Sequence, residues 1–286
     1  MIQLPRAVQT ANEKGESDKK HWSEGFRWEN VSGPGVVQDK ILFLVLVSSS
    51  FLEMTIPVHT KNLTTYYASN AEVVEWVRHQ WNKGEVEHGK ALKRYATSVW
   101  KSFDWEAAYN RFYAEYQHCC TVGRMQPTKA LEMLARCVTE SGSATFYKWL
   151  SLSTSEPILA SLMKRMWHDE VRHYKYFLRF FRYYALEERL GKIEIFTTMV
   201  RRSVQFKSED AYIAFKYAWE AWHGEGSFKP RHYRHFMQEI RDRSRRLYPY
   251  EMLLRMLLQP LGLHGRLATL LARPLRLLAQ RMVFMA

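Results

Sequence analysis

Two Glu-x-x-His steps, Glu85-Val-Glu-His88 and Glu170-Val-Arg-His173, constrain this chain more than any other feature. Each follows a lone glutamate: Glu53 lies 32 residues before the first step and Glu140 lies 30 residues before the second. Residues three apart on a helix share a face, so each step presents a carboxylate and an imidazole in one direction. One glutamate from each of two helices, plus a Glu-x-x-His from each of two others, is the ligand set of a carboxylate-bridged two-metal site in a four-helix bundle. The pattern predicts an all-α fold, a four-helix bundle with additional helices, built around Glu53, Glu85, His88, Glu140, Glu170 and His173 as metal ligands.

A single Glu-x-x-His step arises by chance on any solvated helix. Two steps with correctly interleaved glutamates, each in a long helical stretch, are far more specific. Four carboxylates and two imidazoles are hard-to-borderline donors that suit iron or manganese rather than structural zinc. Their charges balance two divalent cations, and burying them together without metal would be costly. Glu53 sits in LFLVLVSSSFLEMTIP, where it is the one charged residue. Trp81, four before Glu85, and Trp167, three before Glu170, are placed to cover the site, with ordinary core packing as the competing reading. Ser143, three after Glu140, faces the cluster as a hydrogen-bonding partner for oxygen, a proton shuttle or a small spacer. Asp169 is placed to orient a ligating imidazole, or is a surface carboxylate. His118-Cys119-Cys120 lacks the further ligands that would complete a soft-metal site.

The 286 residues are enough for one large domain. Residues 1–36 read as a polar N-terminal arm, 37–257 as the metal-binding domain and 258–286 as a basic, leucine-rich tail. Helices are predicted over about 37–58, 70–98, 104–118, 128–152, 156–189, 192–205, 208–223 and 230–257. Ser69-Asn70 reads as the cap of the second helix, Asp104 and Pro127-Thr128 start the third and fourth, and Ser153-Thr154-Ser155 can cap the fifth. Three cysteines argue against a disulfide framework and for the cytoplasm, and the polar N-terminus reads as no secretory signal. The longest apolar run, Ile41 to Leu52, is too short to span a bilayer. The net charge is +13, and residues 226–286 carry 12 Lys/Arg against 3 Asp/Glu. Such a field favours an acidic partner, and no base-reading motif points to nucleic acid. The tail can pack on a partner subunit, touch anionic lipid or close the bundle, and the last is the default.

Over roughly 40–190 the chain resembles the soluble acyl-carrier-protein desaturases of the ferritin-like di-iron superfamily. The resemblance rests on Glu53 followed by Pro57, on Trp81-Asn-Lys-Gly-Glu85-Val-Glu-His88-Gly89, on Glu140-Ser-Gly-Ser143 and on Asp169-Glu170-Val-Arg-His173. Met54 stands where that family has a second glutamate, and Ser143 stands where it has a threonine near the oxygen site. The resemblance implies a ferritin-like bundle, two iron ions, Asp169 as partner of His88, and a homodimer. It implies oxygen-dependent desaturation of a fatty acyl chain on acyl-carrier protein, with two electrons from a ferredoxin-type donor. A di-iron hydroxylase or N-oxygenase shares the same ligands. An iron-storage or peroxidase-type protein fits the length and tryptophan content less well.

Overall fold

The computed structural model describes residues 25–31 and 34–263, and every regular element among them is helical. Most of the predicted N-terminal arm, and the tail beyond residue 263, lie outside the described residues. The α-helices are α1 (Pro34–Gln38), α2 (Lys40–Met54), α3 (Ile56–Tyr66), α4 (Ala71–Trp76), α5 (Asn82–Val99) and α6 (Trp105–Tyr116). They continue as α7 (Lys129–Ser153), α8 (Pro157–Glu187), α9 (Lys192–Ser208), α10 (Asp210–His223), α11 (Pro230–Ser244) and α12 (Tyr250–Leu258).

Helix starts follow the side chains that satisfy orphan N–H groups. Asn70, Asp104 and Thr128 accept from Val73, Ala107 and Leu131 at 3.2, 2.9 and 3.3 Å. The cap of α8 differs from expectation. Glu156, rather than Ser153, Thr154 or Ser155, accepts from Ile158 and Leu159 at 3.1 and 2.6 Å. Its longer carboxylate reaches two N–H groups, and Pro157 starts the helix with its ring in place of a donor.

Two predicted helices are split. The first breaks at Thr55, whose hydroxyl bonds back to the Leu52 carbonyl, and Pro57 then sits in the first turn of α3. The last breaks before Pro249, because proline denies the helix a donor and disfavours helical backbone at Tyr248. A third interruption has no sequence signature: Val77–Trp81 forms a π-helical turn between α4 and α5.

Lys40–Tyr66 is continuous enough that it is long and apolar enough, by length and composition, to cross a membrane, which the 12-residue run did not suggest. Within the described fold it is a core helix. Phe43, Leu44, Leu46, Val47 and Phe51 of α2 are all buried, as an all-round apolar helix requires.

Helices α7 and α8 form the most extensive pair, joined by a three-residue link that folds them back on one another. Helix α2 packs on α5 and α10, while α9 and α12 lie on α7. The apolar interior forms two clusters. One holds the N-terminal part of α8 (Leu159, Leu162, Met163, Met166) and the C-terminal part of α7 (Tyr147, Trp149, Leu150). The other holds Tyr174, Phe177 and Phe181 of α8 with Ala130 to Val138 of α7. Glu170 and His173 fall where α8 passes from one cluster to the other, so the acidic residues occupy the seam between two dry cores.

Candidate metal centre

The six predicted ligands come from α2 (Glu53), α5 (Glu85, His88), α7 (Glu140) and α8 (Glu170, His173). All six are buried, the most exposed being Glu53 at 8%. They form two overlapping groups positioned to hold a metal ion: Glu53, Glu85, His88 and Glu170, and Glu85, Glu140, Glu170 and His173. Within each group the donor atoms lie within 4.8 Å of one another. Glu85 and Glu170 belong to both groups, so each has one oxygen available to either side.

His88 Nδ1 is 3.1 Å from Glu85 Oε2 and 3.3 Å from Glu170 Oε1. Its other nitrogen, Nε2, is 3.4 Å from Asp169 Oδ2. Asp169 thus fixes the ring with Nδ1 toward the carboxylates, and the Arg172 guanidinium holds Asp169 from the surface. His173 Nδ1 is 2.9 Å from Glu85 Oε1, 3.7 Å from Glu170 Oε2 and 3.8 Å from Glu140 Oε2. Trp81 Nε1 donates to Glu140 Oε1 at 3.2 Å, and the Tyr147 hydroxyl donates to Glu53 Oε1.

The electrostatics of these residues are those of a cluster short of positive charge. Burial, then the charges of Glu85 and Glu170, raise Glu53 and Glu140 well above the usual carboxylate range. Burial opposes the charged form of both histidines, but the facing acids win. His173 is pushed up to about 9 by Glu85 and Glu170, and His88 is raised by Asp169, Glu170 and Glu85. Burial would raise Glu85 too, yet His173 and His88 hold it well below its ordinary value. Protons here supply the positive charge that the packing leaves out.

The donor set fits a metal ion on a second count. Glu170 Oε1 and His173 Nδ1 are buried without a hydrogen bond of acceptable geometry, despite the short approach of Glu85. Buried polar atoms without partners are rare, and two of them in one carboxylate–imidazole cluster are what cation ligation would satisfy.

Two glycines keep α5 close to the cluster. A Cβ at Gly84 would come 3.0 Å from His173 Nε2, and one at Gly89 would come 2.9 Å from the Met54 side chain and 3.1 Å from its backbone nitrogen. The glycine next to His88 therefore lets α5 approach the segment that carries Glu53.

A cavity of about 520 Å³ reaches the cluster, touching Glu53, Glu85, Glu140, Glu170 and Trp81. Ser143 lines it beside Glu140, together with Gly142, Phe146 and Tyr147. Most of its wall is apolar, from Val45 and Leu52 on α2 to Leu253, Leu254 and Leu257 on α12. Trp167 lies elsewhere, stacked on His168 and facing Lys148. The sequence reading passed over Tyr147 and the cavity's α9–α12 wall. Tyr147 had a signal, being two helical turns after Glu140 and so on its face; the wall had none.

His59 also lines the cavity, with Nε2 3.2 Å from the Tyr116 hydroxyl and 3.7 Å from Cys120 Sγ. Burial, then the charges of Arg136 and Arg202, lower it to about 3. Below pH 6.5 the unfolded chain gains a proton that the folded chain refuses, so this histidine withdraws stability as pH falls from about 6.5 towards 3. Replacing it in His59→Gln is expected to remove about 2 kcal/mol of that loss between pH 7 and 5. Urea unfolding at both pH values measures it, and equal pH slopes for the two proteins would contradict the neutral assignment.

No protein-family profile, no curated protein and no solved structure matches this chain.

Proposed function

We propose that the chain is a ferritin-like di-iron protein that uses dioxygen to oxidise the hydrocarbon part of a fatty-acyl-like substrate. The observation that carries this reading is the opening of a buried four-carboxylate, two-histidine cluster onto an apolar cavity of about 520 Å³. That volume lies in the range of small-molecule sites. A storage protein has no use for such a cavity beside its metal ligands.

Glu53 and His88 would hold one iron, Glu140 and His173 the other, with Glu85 and Glu170 shared between them. Two iron ions so held would supply the activation of dioxygen and the removal of hydrogen from an unactivated carbon. Reduction of dioxygen to two waters takes four electrons and four protons. Desaturation provides two of each from adjacent C–H bonds, and a ferredoxin-type donor with solvent provides the rest. The chain's own residues do the remainder. Apolar walls on α2, α7, α11 and α12 hold the chain and exclude water. Asp169 fixes the His88 ring, while Trp81 and Tyr147 each hold one oxygen of Glu140 and Glu53 in place. Ser143 lines the cavity beside Glu140, and its hydroxyl would bond an oxygen atom there or relay a proton to it.

The resemblance to acyl-carrier-protein desaturases favours delivery on that acidic protein, for which the basic C-terminal third is a suitable dock, and a cytoplasmic homodimer. Hydroxylation of a free small molecule is the second reading, favoured by a further group of polar side chains on the cavity wall. Iron-loaded protein, a reducing system and oxygen, incubated with a series of acyl-carrier proteins and free acids, test both. Loss of two hydrogens from the product mass marks desaturation and gain of one oxygen marks hydroxylation. Neither change with any chain, in protein that holds iron, counts against the oxidase reading.

A further inference from the structure

Besides the carboxylates of the metal cluster, the largely apolar cavity wall carries one further group of polar side chains. In that group His59 of α3, Tyr116 of α6, Arg136 and Thr139 of α7, Arg202 of α9 and Asp210 of α10 converge on the wall. Burying two guanidiniums in the wall of a largely apolar space is costly, because arginine stays charged. Such polar groups in a small-molecule site usually fix one end of the ligand.

The two arginines are differently supported. Arg136 is paired from behind: its Nε and Nη2 lie 2.8 and 2.7 Å from Glu132 Oε1. Glu132 does not reach the cavity, and its other oxygen accepts from the Gln126 N–H at 2.9 Å. The pair engages two of the nitrogens of a planar group that carries five N–H donors, and Arg136 lines the cavity. Arg202 Nη2 lies 3.4 Å from Thr139 Oγ1, on the residue next to the ligand Glu140. Among the described residues Asp210 is the carboxyl beside them on this wall; burial raises its pKa, while the charges of Arg202 and Arg136 lower it. Beside them His59 is kept neutral first by burial and then by the charges of Arg136 and Arg202.

We infer that this group forms a carboxylate-binding subsite, and that the substrate is a free amphipathic carboxylic acid whose acid group sits between Arg136 and Arg202 while its apolar part lies along the cavity against the metal centre. A guanidinium fork matches a carboxylate in shape as well as charge. An ester, or the thioester of a carrier-borne chain, offers no charge to the pair and leaves both cations buried without an anion from the ligand. Arg136 lies one helical turn before Glu140, about 6 Å along α7, so the acid group and the metal centre share one wall. This inference rests on the oxidase reading for its account of what happens to the acid and takes the free-acid form of its substrate in place of the carrier-borne one, but binding itself is independent of that reading.

The experiment compares decanoic acid with methyl decanoate by titration calorimetry, on the full chain with and without iron. The acid is expected to bind at least about tenfold more tightly than the ester, the least that a charge-assisted pair is worth. Arg202→Met should abolish that preference while leaving ester binding and iron content unchanged. Equal affinities for acid and ester in the unaltered protein overturn the subsite, whether or not any variant folds. So does an Arg202→Met protein that loses acid and ester alike. A chain that prefers the acid but takes up no iron keeps the subsite and removes the oxidase reading. One that holds iron and oxidises acyl-carrier protein, yet binds acid and ester alike, loses only the subsite.

Discussion

Glu85→Ala and Glu170→Ala are each expected to abolish tight iron loading, whereas Glu53→Ala should lower it only to about one iron per chain. The asymmetry follows from the geometry. Glu85 and Glu170 stand in both donor groups, while Glu53 and His88 belong to one and Glu140 and His173 to the other. Removing a shared carboxylate would take a donor from both groups at once. Removing Glu53 leaves Glu85, Glu140, Glu170 and His173 as a complete second group. The unaltered chain should hold two irons after loading and desalting, read by metal analysis. It should also melt at a higher temperature with metal than without, because an ion bound only to the folded state at 1,000 times its Kd adds about 4 kcal/mol. Glu53→Ala should keep part of that rise and the shared-ligand variants almost none. An iron content that falls equally in all three variants would remove the two-group arrangement.

In the metal-free protein the Glu53 and Glu140 carboxyls should favour the folded state as pH falls, because the folded chain takes up protons that the unfolded chain takes up only at lower pH. Glu53 and Glu140 have their pKa raised by burial and by the charges of Glu85 and Glu170. Cation binding must therefore displace protons from the same residues that receive the ion.

Much of this was readable from spacing. Positions three apart on a helix fix direction without further information, so the two Glu-x-x-His steps placed four of the six donors. Glu53 was legible because a charge within an apolar helix needs a partner. Asn70, Asp104 and Thr128 marked helix starts because short oxygen-bearing side chains reach back to N–H groups in one way. What was hidden depends on contacts between distant segments. The π-helical turn Val77–Trp81 has no composition of its own, and its five residues read as ordinary helix. The cavity is a space between α2, α7 and α9–α12, and its arginines are surface-like residues until the packing encloses them. Pro249 was visible in the sequence, yet the apolar period on either side of it suggested one helix where the fold has two.

Trp81 is where that hidden turn meets the site, and its replacement should produce the largest loss of stability among single changes near the centre. The π-helical turn ends at Trp81 and so shifts the register of α5 against α4. Its indole is 2% exposed, packs edge-on to Phe177 at 5.6 Å between ring centres, and donates to Glu140 Oε1. Trp81→Ala removes the ring and the donor together, and is expected to cost about 3–5 kcal/mol in urea unfolding of the metal-free chain. Trp81→Phe keeps most of the packing and loses the N–H, which should cost about 1–3 kcal/mol for a buried acceptor left without its donor. Iron should restore more of the stability of Trp81→Phe than of Trp81→Ala, because an ion on Glu140 replaces the missing hydrogen bond but fills no cavity. A Trp81→Ala protein within about 1 kcal/mol of the parent would mean that the indole is not part of the core that positions Glu140.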